Sequence, residues 1–169
     1  MVPFHQDAVY WNLEHTDPAA TSPHTVVVWL AFTDVDDGNA ALRVLPASHK
    51  LELEHADYTG EEQVLGRGVA PPVLEQWIES AETLTLRAGE ISIHDYRIAH
   101  GSPANTSSRL RCGLNMTFSP MDVKGSLGDN FEAYPARGED RFRLNAIGKA
   151  PTGDGLPTKP GGSHSSEFL

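Results

Sequence analysis

The sequence predicts an all-β fold with minor helix, a small sandwich or barrel. Three observations predict it. Short runs of β-branched, aromatic or strictly alternating residues recur along the chain. Clusters of Gly, Pro, Asn and Asp separate them. One stretch alone carries a clear helical period.

Thr25 to Thr33, TVVVWLAFT, reads as a buried strand, because β-branched and aromatic side chains suit a pleated surface. DVDDGNA follows and is dense in turn formers. ALRVLP reads as a second short strand, stopped by Pro46. Residues 47 to 70 are polar, glycine-containing and aperiodic, and read as a long loop or lid. In PPVLEQWIESAET, Val73, Leu74, Trp77, Ile78 and Ala81 share one helical face, and the prolines stand where a helix can start. A helix packed on the outside of a sheet is expected there, so a lid-like insertion spans about 47–83. TLTLRAGEISIHDY reads as two strands about a glycine turn. In RCGLNMTF, Cys112, Leu114, Met116 and Phe118 face one way, and Arg111, Gly113, Asn115 and Thr117 the other. That polar face suits either a wet outer surface or the lining of a ligand cavity. The core is expected over 1–120, a C-terminal extension over 121–149, and a disordered Pro/Gly/Ser-rich tail over 150–169.

The 169 residues are a one-domain length. Thirteen basic against 23 acidic side chains leave a net charge of −10. That balance argues against a nucleic-acid surface and against docking on anionic membrane. The longest apolar run, Val26 to Phe32, is strand-sized, far short of the roughly 20 residues that span a bilayer. No basic-then-apolar leader opens the chain, and the single Cys112 cannot form an internal disulfide. A reducing, cytoplasmic setting is therefore expected.

His5 and Asp7 sit two apart in PFHQDAVYW, beside Tyr10 and Trp11. On a strand such a pair shares a face and could grip one object together. Imidazole plus carboxylate suits iron(II), manganese or zinc. A third ligand would come from His15, His24, His49, His55, His94, His100 or His164. His100 follows the strand EISIH in a Gly/Ser/Pro/Asn turn, where functional groups concentrate. His94 is its rival, sharing a strand face with Ser92.

HQD, then VVVWLAFTDVDDGNAALRVLPASHK, then AGEISIHDYRIAHGSPANTSSRLR together resemble the phytanoyl-CoA dioxygenase family over roughly residues 3 to 120. These are iron(II)- and 2-oxoglutarate-dependent oxygenases. The resemblance implies a double-stranded β-helix, the cupin-like jelly roll. It implies His5, Asp7 and His100 as the catalytic iron ligands. It implies Arg111 as the partner of the far carboxylate of 2-oxoglutarate, a task a guanidinium suits through paired hydrogen bonds. Arg109 is the rival, and Trp29, Gln6 and Ser102 match positions near the cosubstrate. His94 then falls beside the metal or in the core.

The implied activity uses dioxygen, releases succinate and carbon dioxide, and oxidises a C–H bond of a small organic metabolite. Related halogenases carry a small residue in place of the carboxylate, so Asp7 implies hydroxylation, with desaturation or ring formation still open. Residues 47–83, Tyr10 and Trp11 would shape the substrate pocket, and the acidic chain favours a small or cationic substrate. The family carries a sizeable region before its His-x-Asp that is missing here, and often a glycine where this chain has Ala47. Open strand edges are therefore expected either to be covered by a second copy in a homo-oligomer or to leave a poorly stable protein. Two other readings stand beside the oxygenase. One is a truncated, non-catalytic jelly roll that binds metal or ligand. The other is a cupin-type metalloenzyme that does not use 2-oxoglutarate.

Overall fold

The computed structural model describes residues 1–11, 13–17, 24–58, 64–125 and 132–148. The expected tail over 150–169 and His164 lie outside these residues. The strands are β1 (Val2–His5), β2 (Leu13–His15), β3 (Val26–Ala31), β4 (Arg43–Val44), β5 (His55–Asp57) and β6 (Arg67–Val69). After the helix α1 (Pro71–Trp77) come β7 (Glu82–Thr83), β8 (Ile91–Asp95), β9 (His100–Ser102), β10 (Gly113–Phe118), β11 (Val123–Gly125), β12 (Glu132–Ala133) and β13 (Ala146–Ile147). The expected all-β fold with one short helix is thus observed.

Two antiparallel sheets form the jelly roll, one ordered β1-β9-β4-β7 and the other β10-β3-β8. Of the two strands expected in TLTLRAGEISIHDY about its glycine turn (Gly89 at φ 88°), β8 forms as a full strand, while before the turn β7 ends at Thr83 and only an isolated bridge forms at Leu86. β7 and β8 do not pair with each other: β7 pairs with β4 and β8 with β3. The connection crosses from one sheet to the other, steadied by a bridge between Val35 and Leu86. Alternation reports which face a residue takes, and is silent on its partner strand.

The core cluster is Leu45, Leu53, Val69 and Ala99. Val73, Leu74, Trp77 and Ala81 pack on it, so the predicted apolar helical face is the buried one. Pro71 opens α1 at a position where its missing N–H costs nothing. The helix ends earlier than its apolar period, passing at Ile78–Ser80 into a 3₁₀ turn whose Ser80 hydroxyl donates to the Trp77 carbonyl at 2.7 Å. Within the expected loop, β5 and β6 form a hairpin, with His55 opposite Val69.

The register of β10-β3-β8 sorts its side chains cleanly. Leu30, Val28 and Val26 stand on one face between Leu114, Met116 and Phe118 on β10 and Ile91, Ile93 and Asp95 on β8. This face is open: Ile93 is 62% and Ile91 49% exposed. The opposite face carries Trp29 and Val27 between Asn115 and Thr117 on one side and Ser92 and His94 on the other. It is this second face that meets the functional site.

Ala47 has φ 64° and ψ 0°, in the left-handed region. A Cβ there costs about 1–2 kcal/mol, and glycine loses about 0.5–1 kcal/mol more chain entropy on folding. Ala47→Gly is therefore expected to stabilise the protein by about 0.5–1 kcal/mol, read as a higher midpoint in urea. An unchanged or lower midpoint would show that the turn relaxes around alanine.

Candidate metal centre

The antiparallel pairing of β1 with β9 sets His5 opposite His100. Gly101 lets the two backbones approach, since a Cβ there would lie 2.9 Å from Phe4 N and from Val2 O. Each histidine is oriented by the carbonyl two residues before it. His5 Nδ1 lies 2.9 Å from Pro3 O, and His100 Nδ1 lies 3.0 Å from Ile98 O. A carbonyl only accepts, so Nδ1 carries the proton and Nε2 presents a lone pair. Asp7 begins a 3₁₀ turn, Asp7–Val9, whose chain is held by Tyr10 N and Trp11 N donating to Asp7 O.

His5 Nε2 lies 3.3 Å and His100 Nε2 3.9 Å from Asp7 Oδ1. The ligand atoms of the three residues all fall within 4.8 Å of one another, and all three side chains are buried. Two donors bound to one ion at about 2.1 Å each stand roughly 3 Å apart at a right angle, so this spacing fits a shared metal. Asp7 Oδ2 is buried without a hydrogen-bond partner. A buried unpaired carboxylate oxygen is costly unless a cation completes it. Two imidazoles and one carboxylate on one side of an ion are the donor set of iron(II) oxygenases with open positions.

The rival histidines are placed elsewhere. His55 accepts from Gln6 N at 3.1 Å through Nε2, and its Nδ1 faces Leu53 O at 2.7 Å. His15 pairs with Asp122 at 3.2 Å across β2 and β11. His94 packs 5.2 Å from the His100 ring, centroid to centroid, without joining the ligand cluster.

Burial first, and His5 second, lower the His100 pKa to about 4. Burial also lowers His94 and His55. Freed by unfolding, these imidazoles return towards 6.5. Between 6.5 and 4 the unfolded chain binds more protons, so the metal-free protein loses stability as pH falls through that window. Its Tm is expected to begin falling near about pH 6.5; a profile flat down to about pH 4.5 would contradict buried neutral imidazoles.

A second pole lies on the inner face of β10-β3-β8. The Arg111 guanidinium carbon sits 5.1 Å from the Trp29 ring centroid. Trp29 in turn lies on Gly113, where a Cβ would come within 2.2 Å of Cζ2. Arg111 Nε is buried without a partner, and burial lowers its pKa. Arg109 is different: it is exposed and pairs with Asp36 at 2.6 and 2.9 Å. That pair holds Asp36 down to about 2. Arg109 is therefore engaged on the surface, and Arg111 is the arginine left for an anion.

Ser102 is buried on β9, two residues past His100. Gln6 is buried beside the ligands, but its amide is directed at backbone. Nε2 donates to Ser48 O, Leu51 O and Arg97 O, and Oε1 accepts from Leu53 N. It clamps residues 48–53 to the site, which leaves its amide little to offer a cosubstrate. Tyr10 packs edge-on to His5 at 5.7 Å and its hydroxyl donates to Arg67 O. Trp11 lines a separate cavity of about 730 Å³ with Met116, Phe118 and Tyr134. The roles of Gln6 and His55 as clamps were not visible in sequence, since they depend on partners 42 and 49 residues away.

The profile of the phytanoyl-CoA dioxygenase (PhyH) family matches residues 1–113. The chain belongs to the phytanoyl-CoA dioxygenase family. Peroxisomal phytanoyl-CoA dioxygenase of Bos taurus is 27% identical over 138 residues, covering 77% of this chain and 38% of the relative. The Homo sapiens protein is 26% identical over 135 residues with the same coverage. This PhyH chain thus spans 38% of the length of these relatives. Among solved structures, the non-heme monooxygenase ThoJ superposes with TM-score 0.64 at 27% identity, over 86% of this chain and 48% of that one. The epimerase SnoN, solved with Fe3+, alpha ketoglutarate and nogalamycin RO, gives 0.54 at 22% identity, over 87% and 54%. EctD from S. alaskensis gives 0.58 at 18% identity, over 73% and 40%. The last two likenesses show the fold.

Proposed function

We propose that this PhyH-family chain is an iron(II)- and 2-oxoglutarate-dependent oxygenase that hydroxylates a C–H bond of a small organic metabolite. The balanced reaction consumes substrate, 2-oxoglutarate and dioxygen and yields alcohol, succinate and carbon dioxide. One observation carries the reading: Asp7 Oδ2 in the buried His5, Asp7, His100 cluster and Nε of the partly buried Arg111 are both shielded from solvent without a hydrogen-bond partner. A small molecule with a chelating 2-oxo acid at one end and a carboxylate at the other would complete both.

Each residue then has a task. His5 and His100, fixed through their Nδ1 hydrogen bonds, offer Nε2 to the metal, and Asp7 offers a carboxylate oxygen. Bound iron(II) and 2-oxoglutarate would supply the electrons that activate dioxygen, which is the oxidant. Arg111, stiffened by its stack on Trp29, orients the far carboxylate, and Ser102 stands on the strand of His100 beside it. Asp7 fills the third protein position, which favours hydroxylation over halogenation. Gln6 ties residues 48–53 to the site, and the expected lid over 47–83 contributes Leu53 and Val69 to the core cluster. The net charge of −10 favours a small or cationic substrate. Among the described residues no helix is long and apolar enough to cross a membrane. With the exposed, free Cys112, this is compatible with the proposed cytoplasmic setting.

The test needs no substrate. Incubation with iron(II), 2-oxoglutarate and air is expected to form succinate slowly, and Arg111→Ala to stop it. Iron binding with no succinate from the wild type would favour a non-catalytic jelly roll.

The open sheet face supports a homo-oligomer. Its Leu, Val, Ile, Met and Phe rows bear no charge apart from Asp95 at one corner, in a chain that otherwise repels itself. Two copies meeting about a twofold axis would cover these rows with the same rows. Sedimentation is expected to show a dimer that Ile93→Lys dissociates; a monomeric wild type would contradict it.

A further inference from the structure

Resting on the iron and 2-oxoglutarate reading, we propose that His94 contacts the bound 2-oxo acid, donating a ring N–H to its metal-proximal carboxylate. Ser92 donates its hydroxyl to the far carboxylate, the group that Arg111 holds. Both nitrogens of His94 and the Ser92 oxygen are buried and without hydrogen-bond partners. Buried polar groups are nearly always paired, so three orphans on one strand face call for a partner that the described residues do not supply.

Their placement names that partner. On the inner face of β8, Ser92 stands opposite Trp29 and His94 opposite Val27. The His94 ring lies 5.2 Å from the ring of the metal ligand His100, and Arg111 lies over Trp29. Passing from the metal cluster to Arg111, the order is therefore His94, Ser92, Trp29, Arg111. A dicarboxylate held at both ends runs past His94 first and Ser92 second.

A contrast with the other histidines strengthens this. His5, His55 and His100 each have Nδ1 fixed on the carbonyl two residues earlier. His94 has no such bond, so no backbone group fixes its ring. It is also outside the ligand cluster, so the metal does not account for it. A wall histidine kept only for packing would gain by pairing; this one is buried with neither nitrogen paired.

The experiment is calorimetric titration of manganese(II)-loaded protein with 2-oxoglutarate and, separately, with succinate. Succinate keeps a far carboxylate for Arg111 and lacks the 2-oxo acid. His94→Ala is expected to weaken 2-oxoglutarate by about tenfold or more while changing succinate by less than about threefold. His94→Gln, which keeps an N–H donor of similar size, should recover part of the loss and serves if the alanine variant folds poorly. Ser92→Ala should weaken 2-oxoglutarate by about threefold. Unchanged 2-oxoglutarate affinity in both His94 variants would overturn the proposal, as would an equal loss of both ligands, which marks a structural role. A wild type that binds manganese(II) but no 2-oxoglutarate would overturn the cosubstrate reading itself, and this proposal with it.

Discussion

Asp7→Ala is expected to lower iron(II) affinity by more than about 100-fold and to abolish succinate formation, with the metal-free fold intact. Partners that merely orient a metal ligand already cost about 10–100-fold when removed, so loss of a ligand costs more. Asp7 is also the one anion among the three ligands, and its charge offsets the burial of a divalent ion. The metal-free protein loses little, because Asp7 Oδ2 is buried without a partner and its removal relieves desolvation. The check has two parts. Competition with a chromophoric chelator reads the affinity. Melts with and without manganese(II) read the coupling: the metal-induced rise in Tm should vanish while the metal-free Tm holds or rises. A variant that keeps the metal-induced rise would place the ion elsewhere.

Arg111→Ala is expected to weaken 2-oxoglutarate by about 30-fold to 4000-fold with iron affinity within about threefold of wild type. Truncating one side of a buried charge pair costs about 2–5 kcal/mol, which sets that range. Arg111→Lys should restore little, since an ammonium cannot reproduce the paired donors or the stack on Trp29. Arg109→Ala is the control. Its guanidinium is exposed on Asp36, so 2-oxoglutarate affinity should not change. Equal losses in the Arg109 and Arg111 variants would contradict the assignment of Arg111.

Local signals carried much of this fold. TVVVWLAFT became the central strand of a three-stranded sheet, and the alternation of RCGLNMTF separated the Arg111 face from the aliphatic one. PPVLEQW became the helix that covers the core cluster. Partnership between strands was not legible. The stretch before Gly89 forms only an isolated bridge at Leu86, β7 and β8 enter different sheets, and β1 pairs with β9 nearly one hundred residues away. Such choices are made by tertiary packing, which a period of two does not encode. The metal set was legible because three blocks in order resemble one family. The clamp of Gln6 and His55 and the orphaned state of Ser92 and His94 were not, since satisfaction of a hydrogen bond is a property of neighbours in space. Ala47 illustrates the link in the other direction. Its left-handed φ gives the physical reason a glycine suits that turn.

The central claim is that one buried face joins a metal at His5, Asp7 and His100 to 2-oxoglutarate at Arg111. It is tested most directly without oxygen and without substrate. Iron(II) is added to the protein anaerobically, then 2-oxoglutarate, and the visible spectrum is recorded. The account predicts a weak charge-transfer band of the chelate, saturating with 2-oxoglutarate, lost in Asp7→Ala and needing far more ligand in Arg111→Ala. Iron that binds stoichiometrically and gives no band at saturating 2-oxoglutarate would contradict it.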